Sequence, residues 1–140
     1  MPIRVYYASP LFTMAERRFN RDLRDELCRL GEYEIYLPQE VDVSMGKDYI
    51  MEENLQQLNS ADVVVGNCDG PIADDGTSYE IGYASAHYTP IVLFRTDLRS
   101  HEDNGFNLVF RDCPKVIMKC TDPLELLALK LHEKIQEVIA

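Results

Sequence analysis

The sequence predicts an α/β protein in which a five-stranded parallel sheet is flanked by helices, forming a three-layer sandwich. Short β-branched and aromatic segments alternate along the chain with segments whose apolar residues recur at helical spacing. The segments at 61–68 and 90–96 are apolar without alternation, as in strands covered on both faces. Strands that alternate with helices pair in parallel through right-handed crossovers, so we expect helices on both faces of the sheet.

The first strand and the first helix have clear boundaries. The segment at 3–8, "IRVYYA", is β-branched and aromatic, and "SP" ends it. Thr13 and Glu16 have the spacing of a capping box, so we expect a helix to start there and to end at Gly31 as its C-cap. The expected inward-facing residues of this helix are Phe19, Leu23, Leu27 and Leu30.

The middle of the chain predicts two further strands and two further helices. A strand at 33–38 is followed by the loop "QEVDVSMG" and by a helix over about 47–60. The apolar strand at 61–68 leads into an acidic loop and a helix that reaches about Tyr88. The expected inward-facing residues of the helix at 47–60 are Ile50, Leu55 and Leu58.

The last part of the chain predicts two strands and a long helix. A strand at 90–96 precedes a polar loop at 97–105, and "FNLVF" then starts a short helix. The last strand covers 115–120, and Asp122 with Pro123 opens the C-terminal helix. Its expected core residues are Leu126, Leu127, Leu131, Ile135 and Ile139. This succession of elements is flavodoxin-like or Rossmann-like.

Composition limits the classes of protein to consider. The chain has 140 residues, 46% of them hydrophobic, which fits one compact domain over 1–140. Its net charge of −10 argues against nonspecific binding to nucleic acid or to anionic membranes. The four cysteines form no CxxC pair, and the sequence has neither a signal-peptide pattern nor an apolar run of membrane-spanning length. We therefore expect reduced thiols and a cytoplasmic location.

Two loops are candidates for a binding site. Open parallel sheets bind ligands beyond the carboxyl ends of their strands, where the strand order reverses. In the commonest order for five strands that point lies between the first and third strands, beside the loops "ASPLF" and "NCDGPIADDG". The second loop holds Asp69, Asp74 and Asp75. Because aspartate is common in turns, these acids alone are poor evidence for a metal, and we expect none.

Glu80 has two interpretations. Thr77 and Glu80 have the spacing of a capping box, which would be worth about 1 kcal/mol. Alternatively, Glu80 is an ionised carboxylate in the crevice, favoured by a helix N-terminus and oriented by Tyr6 or Tyr7 at the end of the first strand. Spacing alone favours the cap.

Four motifs resemble those of a known family. "VYYASPLF", "ADVVVGN", "DDGTSYEIGYA" and "FNLVF" stand in the order and spacing of the nucleoside 2-deoxyribosyltransferase family, over nearly the whole chain. Members of this family transfer 2-deoxyribose between purine or pyrimidine bases. The resemblance implies 2′-deoxynucleosides and free bases as partners and a homo-oligomer whose subunits share active sites. The sequence has no Gly-rich phosphate loop, so we expect no cofactor.

The resemblance also implies roles for individual residues. Glu80 matches the nucleophilic glutamate, which forms a covalent deoxyribosyl ester and gives overall retention of configuration. Tyr6 matches the tyrosine that holds this nucleophile. Asp74 matches the aspartate that binds the sugar near its 5′-hydroxyl, and Phe12 an aromatic residue beside the base. Asn107 matches an asparagine that reaches the sugar in a neighbouring subunit's site.

Asn54 is a departure from the family pattern, because many relatives carry an aspartate there that helps to protonate the leaving base. Asn54 is either a hydrogen-bonded core residue or an amide that binds the base. An amide cannot act as a general acid at neutral pH, so water, Glu53 or Asp75 would supply the proton. A different base preference is the other explanation.

Two alternative functions remain open. The first is hydrolysis of deoxynucleoside 5′-monophosphates. The carboxylate of Asp74 argues against it, because two unit negative charges 4 Å apart, such as this carboxylate and a 5′-phosphate, repel by about 1 to 4 kcal/mol. The loop after the first strand is also poor in glycine and basic residues, although Arg17 and Arg18 are not far along. The second is a non-catalytic nucleotide-binding module. His87, His101 and His132 form no Ser-His-Asp set, so that form of nucleophilic catalysis has no support.

Overall fold

Five parallel strands form one sheet in the computed structural model, which describes residues 1–99 and 105–140. The strands are β1 (Ile3–Ala8), β2 (Tyr33–Tyr36), β3 (Val63–Asn67), β4 (Ile91–Arg95) and β5 (Val116–Lys119). Their order is β2-β1-β3-β4-β5, so the order reverses beside β1 and β3, as predicted. Part of the predicted polar loop at 97–105, including His101, lies outside the described residues.

Four α-helices lie within the described residues, and their positions match the predicted alternation. They are α1 (Met14–Leu30), α2 (Lys47–Ser60), α3 (Asp75–Ala86) and α4 (Leu124–Ile139). Short 3₁₀ helices lie at Pro38–Glu40, Val43–Met45 and Leu108–Arg111, the last within the predicted short helix. None of the helices in the described ranges is long and apolar enough to cross a membrane.

The two faces of the sheet carry separate hydrophobic clusters. Leu23 of α1 and Leu131 of α4 pack with Tyr7 on one face. Leu58 of α2 and Ile81 of α3 pack with Tyr6 on the other face. The protein is therefore a three-layer α/β sandwich with the flavodoxin-like strand order. Because side chains alternate along a strand, Tyr6 and Tyr7 lie on opposite faces, and only Tyr6 faces α2 and α3.

Helix ends and helix faces differ in places from the predictions. The capping box of Thr13 and Glu16 is present at the start of α1. Pro123, not Asp122, occupies the N-cap position of α4, and Asp122 instead accepts hydrogen bonds from Cys120 and Lys130. Helical spacing also overestimated the width of the apolar faces, since three residues predicted to face inward are substantially exposed: Leu30 (39%), Leu55 (41%) and Leu126 (40%).

A buried arginine holds the loop that leads from β3 towards α3. Arg95, at the end of β4, is only 1% exposed. Its Nη1 donates to the carbonyl oxygens of Cys68 at 2.6 Å and Gly70 at 2.7 Å. Hydrogen bonds in which the donor carries a charge are stronger than neutral ones, so they stabilise this loop. Arg95 thereby anchors the segment before Asp74.

Candidate active site

A cavity of about 500 Å³ lies beside the carboxyl end of β1, between α2 and the start of α3. The loop after β1 contributes Ser9 and Phe12, and α2 contributes Asn54. Asp74 and Glu80 line it from α3 and the residue before that helix. The position agrees with the expected site at the reversal of strand order, because the loops after β1 and β3 both lead to it.

Glu80 and Tyr6 form a direct hydrogen bond at this cavity. The Tyr6 hydroxyl donates to Glu80 Oε2, joining β1 to α3. Tyr6 is fully buried, whereas Glu80 lines the open cavity. The bond occupies one carboxylate oxygen and leaves Oε1 without this constraint, an arrangement that suits a nucleophilic carboxylate.

Burial is the main influence on the ionisation of this pair. It raises the pKa of Glu80 to about 7, opposed by the hydrogen bond from Tyr6 and reinforced by the negative charge of Asp74. Burial, together with the charge of Glu80, raises the pKa of Tyr6 well above its usual range. Tyr6 therefore keeps its proton and acts as a donor, while Glu80 titrates near neutral pH.

The start of α3 excludes the capping interpretation of Glu80. The N-cap is Asp74, whose Oδ2 accepts from the Thr77 backbone N at 3.0 Å and from Thr77 Oγ1 at 3.2 Å. Glu80 is thus in the second turn, beyond the capping-box position. The helix dipole acts mainly within the first turn, so the expected support from the helix N-terminus is weak. Tyr6 is the group that favours the ionised form.

The structure brings most of the predicted site residues together. Phe12, Asn54, Asp74 and Glu80 line one cavity, and Tyr6 contacts Glu80 from the sheet. Phe12 is 69% exposed, so its ring is accessible at the mouth of the cavity. The roles proposed for these residues towards sugar and base stay predictions.

Asn107 does not line this cavity. Its Oδ1 accepts from the Val109 backbone N at 3.0 Å, which caps the 3₁₀ helix Leu108–Arg111. Asn107 lies instead in a separate recess with Ile72 and Val109. The role implied for it in a neighbouring subunit's site stays a prediction.

Sequence reasoning missed two residues, Glu52 in the lining of the cavity and Tyr36 behind that lining. The Tyr36 hydroxyl donates to Asn54 Oδ1 at 2.6 Å, and its ring lies against that of Tyr6. Tyr36 pairs with Tyr6 in the sheet register, a relationship that the predicted parallel strands allowed but did not specify. Glu52 lines the cavity, whereas Glu53 and Asp75, the carboxyls considered as proton donors, do not.

The described lining of the cavity is acidic. It carries three carboxylates, Glu52, Asp74 and Glu80, and among the described residues it has no basic side chain. Two nearby cations are present in the sequence. Arg17 donates to the backbone oxygens of Leu11 and Phe12, and the exposed Arg18 pairs with Asp22. Like charges repel strongly where water is partly excluded, so this cavity suits an uncharged ligand better than a phosphate.

Several solved structures have the same fold. A conserved protein from Enterococcus faecalis V583 matches with a TM-score of 0.78 and 24% identity, over 98% of this chain and 99% of that one. A 2-deoxyribosyltransferase from Leishmania mexicana matches with a TM-score of 0.73 and 18% identity, over 96% and 98%. A CMP N-glycosidase from Clostridium botulinum matches with a TM-score of 0.66 and 20% identity, over 91% and 97%. At these identities the matches establish the fold.

Family membership comes from the sequence itself. Residues 5–120 match the family model described as nucleoside 2-deoxyribosyltransferase. The matched range contains the Tyr6 and Glu80 pair, the cavity residues and Asn107. The chain therefore belongs to the nucleoside 2-deoxyribosyltransferase family.

Proposed function

We propose that this protein exchanges the base of a 2′-deoxynucleoside for another purine or pyrimidine through a covalent deoxyribosyl–Glu80 intermediate. The observation that carries the proposal is the Tyr6 hydrogen bond to a carboxylate that lines an acidic cavity. Family membership supports a reaction at a glycosidic bond of a nucleoside.

In the first half of the reaction, the free oxygen of Glu80 attacks C1′ of the deoxyribose. A C1′–O ester bond forms as the C1′–N bond breaks, and the base departs with the electron pair of that bond. The base takes up a proton from solvent or from Glu52, an exposed carboxyl group that lines the cavity. Tyr6 holds the carboxylate throughout and keeps its own proton.

In the second half, a nitrogen of the incoming base attacks C1′ from the face that the first base left. The ester bond breaks, the carboxylate of Glu80 is restored, and the nitrogen of the new base loses its proton to solvent. Two inversions give overall retention of configuration at C1′. No cofactor is required, because each step exchanges only a nucleophile and a proton.

The remaining predicted residues bind the substrate in this proposal. Asp74 Oδ2 already accepts hydrogen bonds from Thr77 at the start of the helix. In this proposal, Asp74 Oδ1 accepts a hydrogen bond from the 5′-hydroxyl of the sugar. Phe12 packs against the base at the mouth of the cavity. Asn107 serves the site of a second subunit, and the recess around it carries the exposed apolar residues Ile72 and Val109, which suit a homo-oligomer contact. Cytoplasmic location and a single domain over 1–140 stay predictions.

Hydrolysis is the second candidate, because the fold also matches a CMP N-glycosidase. In that reaction water replaces the acceptor base. The acidic cavity argues against a nucleoside 5′-monophosphate as substrate, since a 5′-phosphate would approach Asp74 without a described basic partner. The structure thus favours a free nucleoside over a nucleotide.

One assay separates transfer, hydrolysis and simple binding. The protein is incubated with a deoxynucleoside, with and without a second base, and the products are separated by chromatography. We expect a new deoxynucleoside only when the second base is present. Release of deoxyribose or its phosphate would support hydrolysis instead, and no turnover of any nucleoside or monophosphate would support a binding module.

Two variants of α3 test the role of the nucleophile. Glu80→Gln keeps an acceptor for Tyr6 but removes the attacking carboxylate, so exchange should be lost. Asp75→Asn is the matched control, because Asp75 is an exposed carboxylate on the same helix and does not line the cavity. Normal exchange by Glu80→Gln would overturn the proposed intermediate.

A further inference from the structure

Asn54 has a defined orientation because Tyr36 binds one end of its amide. The Tyr36 hydroxyl donates to Asn54 Oδ1 at 2.6 Å, and Tyr36 itself lies behind the cavity wall rather than in its lining. Burial raises the pKa of Tyr36 to about 12, so the phenol has a proton to donate at neutral pH. The hydrogen bond itself places the carbonyl end of the amide towards Tyr36.

The ring of Tyr36 is also held firmly. It packs against Tyr6 with ring centroids 5.4 Å apart, and the two residues are paired in the register of β1 and β2. Tyr6 is fully buried and bound to Glu80. The orientation of Asn54 is therefore supported by the rigid sheet rather than by a mobile loop.

This orientation decides which hydrogen bonds Asn54 offers a ligand. An asparagine with a free amide binds adenine with two hydrogen bonds: its carbonyl oxygen accepts from the N6 amino group, and its amino group donates to N7. When the carbonyl is bound to Tyr36, the amino group is the end left for the cavity, and it only donates. Donors match bases that carry an oxygen at purine C6 or pyrimidine C4, and they oppose the amino groups of adenine and cytosine.

We propose that Asn54, oriented by Tyr36, makes the cavity select 6-oxopurines and 4-oxopyrimidines over their amino counterparts. The inference rests on the proposed base exchange and specifies its substrate class. Asn54 binds the base directly, and Tyr36 is a positioning residue that acts through it. The amide donates a hydrogen bond to the base but transfers no proton, so its contribution does not change with pH between 5 and 9.

Competition between acceptor bases tests this selectivity. Wild type is given one deoxynucleoside donor with hypoxanthine and adenine at equal concentration, and in parallel with uracil and cytosine. We expect the oxo base to be used with roughly tenfold higher kcat/KM in every pair whose bases the enzyme accepts. Equal use of both bases in each pair, or preference for the amino base, would overturn the inference while leaving the exchange reaction established.

Tyr36→Phe tests the positioning role. It keeps the ring that packs on Tyr6 but frees the amide to turn over, so the oxo-to-amino ratio should fall at least fivefold. The pH dependence of exchange should not move, because Tyr6 and Glu80 are unchanged. Tyr83→Phe is the matched control: it removes a Tyr–Asn hydrogen bond of the same 2.6 Å length, to Asn59, outside the cavity, and should leave the ratio as in wild type.

Asn54→Ala provides a second variant at a partly exposed helix position. It removes the donor itself, so the ratio should approach one whether or not Tyr36→Phe folds normally. A ratio unchanged from wild type in Asn54→Ala would overturn the inference. Failure of wild type to exchange any base is a different result, which would overturn the proposed function on which the inference rests.

Discussion

The Tyr6 hydroxyl donates to Glu80 Oε2, across 74 positions of sequence, from the central region of the sheet to the second turn of α3. The bond has two consequences. It aims the carboxylate into the cavity, and it offsets part of the effect of burial on the ionisation of Glu80.

The rate of base exchange should increase with pH through about 7. Burial raises the pKa of Glu80 to about 7, and only the ionised carboxylate attacks C1′. The measurement is kcat/KM for a deoxynucleoside between pH 5 and 9, which reports ionisation of the free enzyme. A rate that is flat or falls over the acidic half of this range would contradict the assignment.

Tyr6→Phe should slow exchange at pH 7, and the rise of kcat/KM with pH should occur at higher pH than in wild type. The hydrogen bond from Tyr6 lowers the pKa of Glu80, so its removal raises that pKa further. Loss of orientation adds to this effect, and we expect a decrease of roughly tenfold or more. Tyr7→Phe is the control, because Tyr7 lies on the opposite face of the sheet. This variant should not change the pH at which kcat/KM rises. The same shift in both variants would indicate general damage.

Glu80→Gln should be more stable than wild type at pH 8 and equally stable near pH 4. The folded pKa of about 7 exceeds the ordinary value of 4.5. Between these values the native state binds the proton more tightly than the unfolded state, so the free energy of unfolding of wild type falls as pH rises. The gain at pH 8 should be about 1 to 2 kcal/mol, less than the full shift implies because Glu80 contacts solvent.

Denaturant unfolding at the two pH values measures this difference. Asp75→Asn, on the surface of the same helix, should show no comparable gain at pH 8. A gain for Glu80→Gln that is the same at both pH values would show that the buried charge is not its cause.

Substitutions of Asp74 should separate its capping role from its charge. Asp74→Ala removes the acceptor for Thr77 and should cost about 1 kcal/mol of stability. Asp74→Ser keeps a good N-cap, so stability should be nearly unchanged while binding of free nucleosides weakens and 5′-monophosphates are tolerated better. Thermal unfolding and paired assays with a nucleoside and its monophosphate check these effects. Unchanged selectivity in Asp74→Ser would exclude Asp74 as the group that recognises the 5′ end.

Arg95→Met should destabilise the protein by about 2 to 4 kcal/mol. It leaves the carbonyl oxygens of Cys68 and Gly70 without their buried donor. Arg99→Met is the control, because the side chain of Arg99 is exposed and its ion pair with Asp97 should contribute much less to stability than the buried Arg95 does. Denaturant midpoints of the two variants give the comparison. Similar losses would show that the buried position of Arg95 has no special role.

Much of the fold was predictable because it depends on local periodicity. The strand at Ile3–Ala8 and the helix at Lys47–Ser60 have the bounds expected from their patterns. The start of α3 was less predictable. Asp74 and Thr77 are both good N-caps, and spacing cannot choose between two competent residues in one loop. That ambiguity alone made Glu80 resemble a capping residue.

The candidate site was predictable as a set of residues, but not as an arrangement. Resemblance to the family identified Tyr6, Asp74 and Glu80 from their motifs. Tyr36 carried no motif, and its importance depends on its register with Tyr6 and its bond to Asn54. Asn107 lies outside the cavity of its own chain, and the role that the resemblance implies for it in a neighbouring subunit's site stays a prediction.

The sequence by itself determined the alternation of strands and helices, the acidic charge and the residues that are available for chemistry. Tertiary structure decided which of two adjacent tyrosines meets Glu80, how far burial raises the pKa of that glutamate, and which end of the Asn54 amide binds Tyr36. The physical reason is that periodicity reflects contacts between near neighbours in the chain. Hydrogen bonds and desolvation at this cavity depend instead on groups that only the packing of α2 and α3 on the sheet brings together.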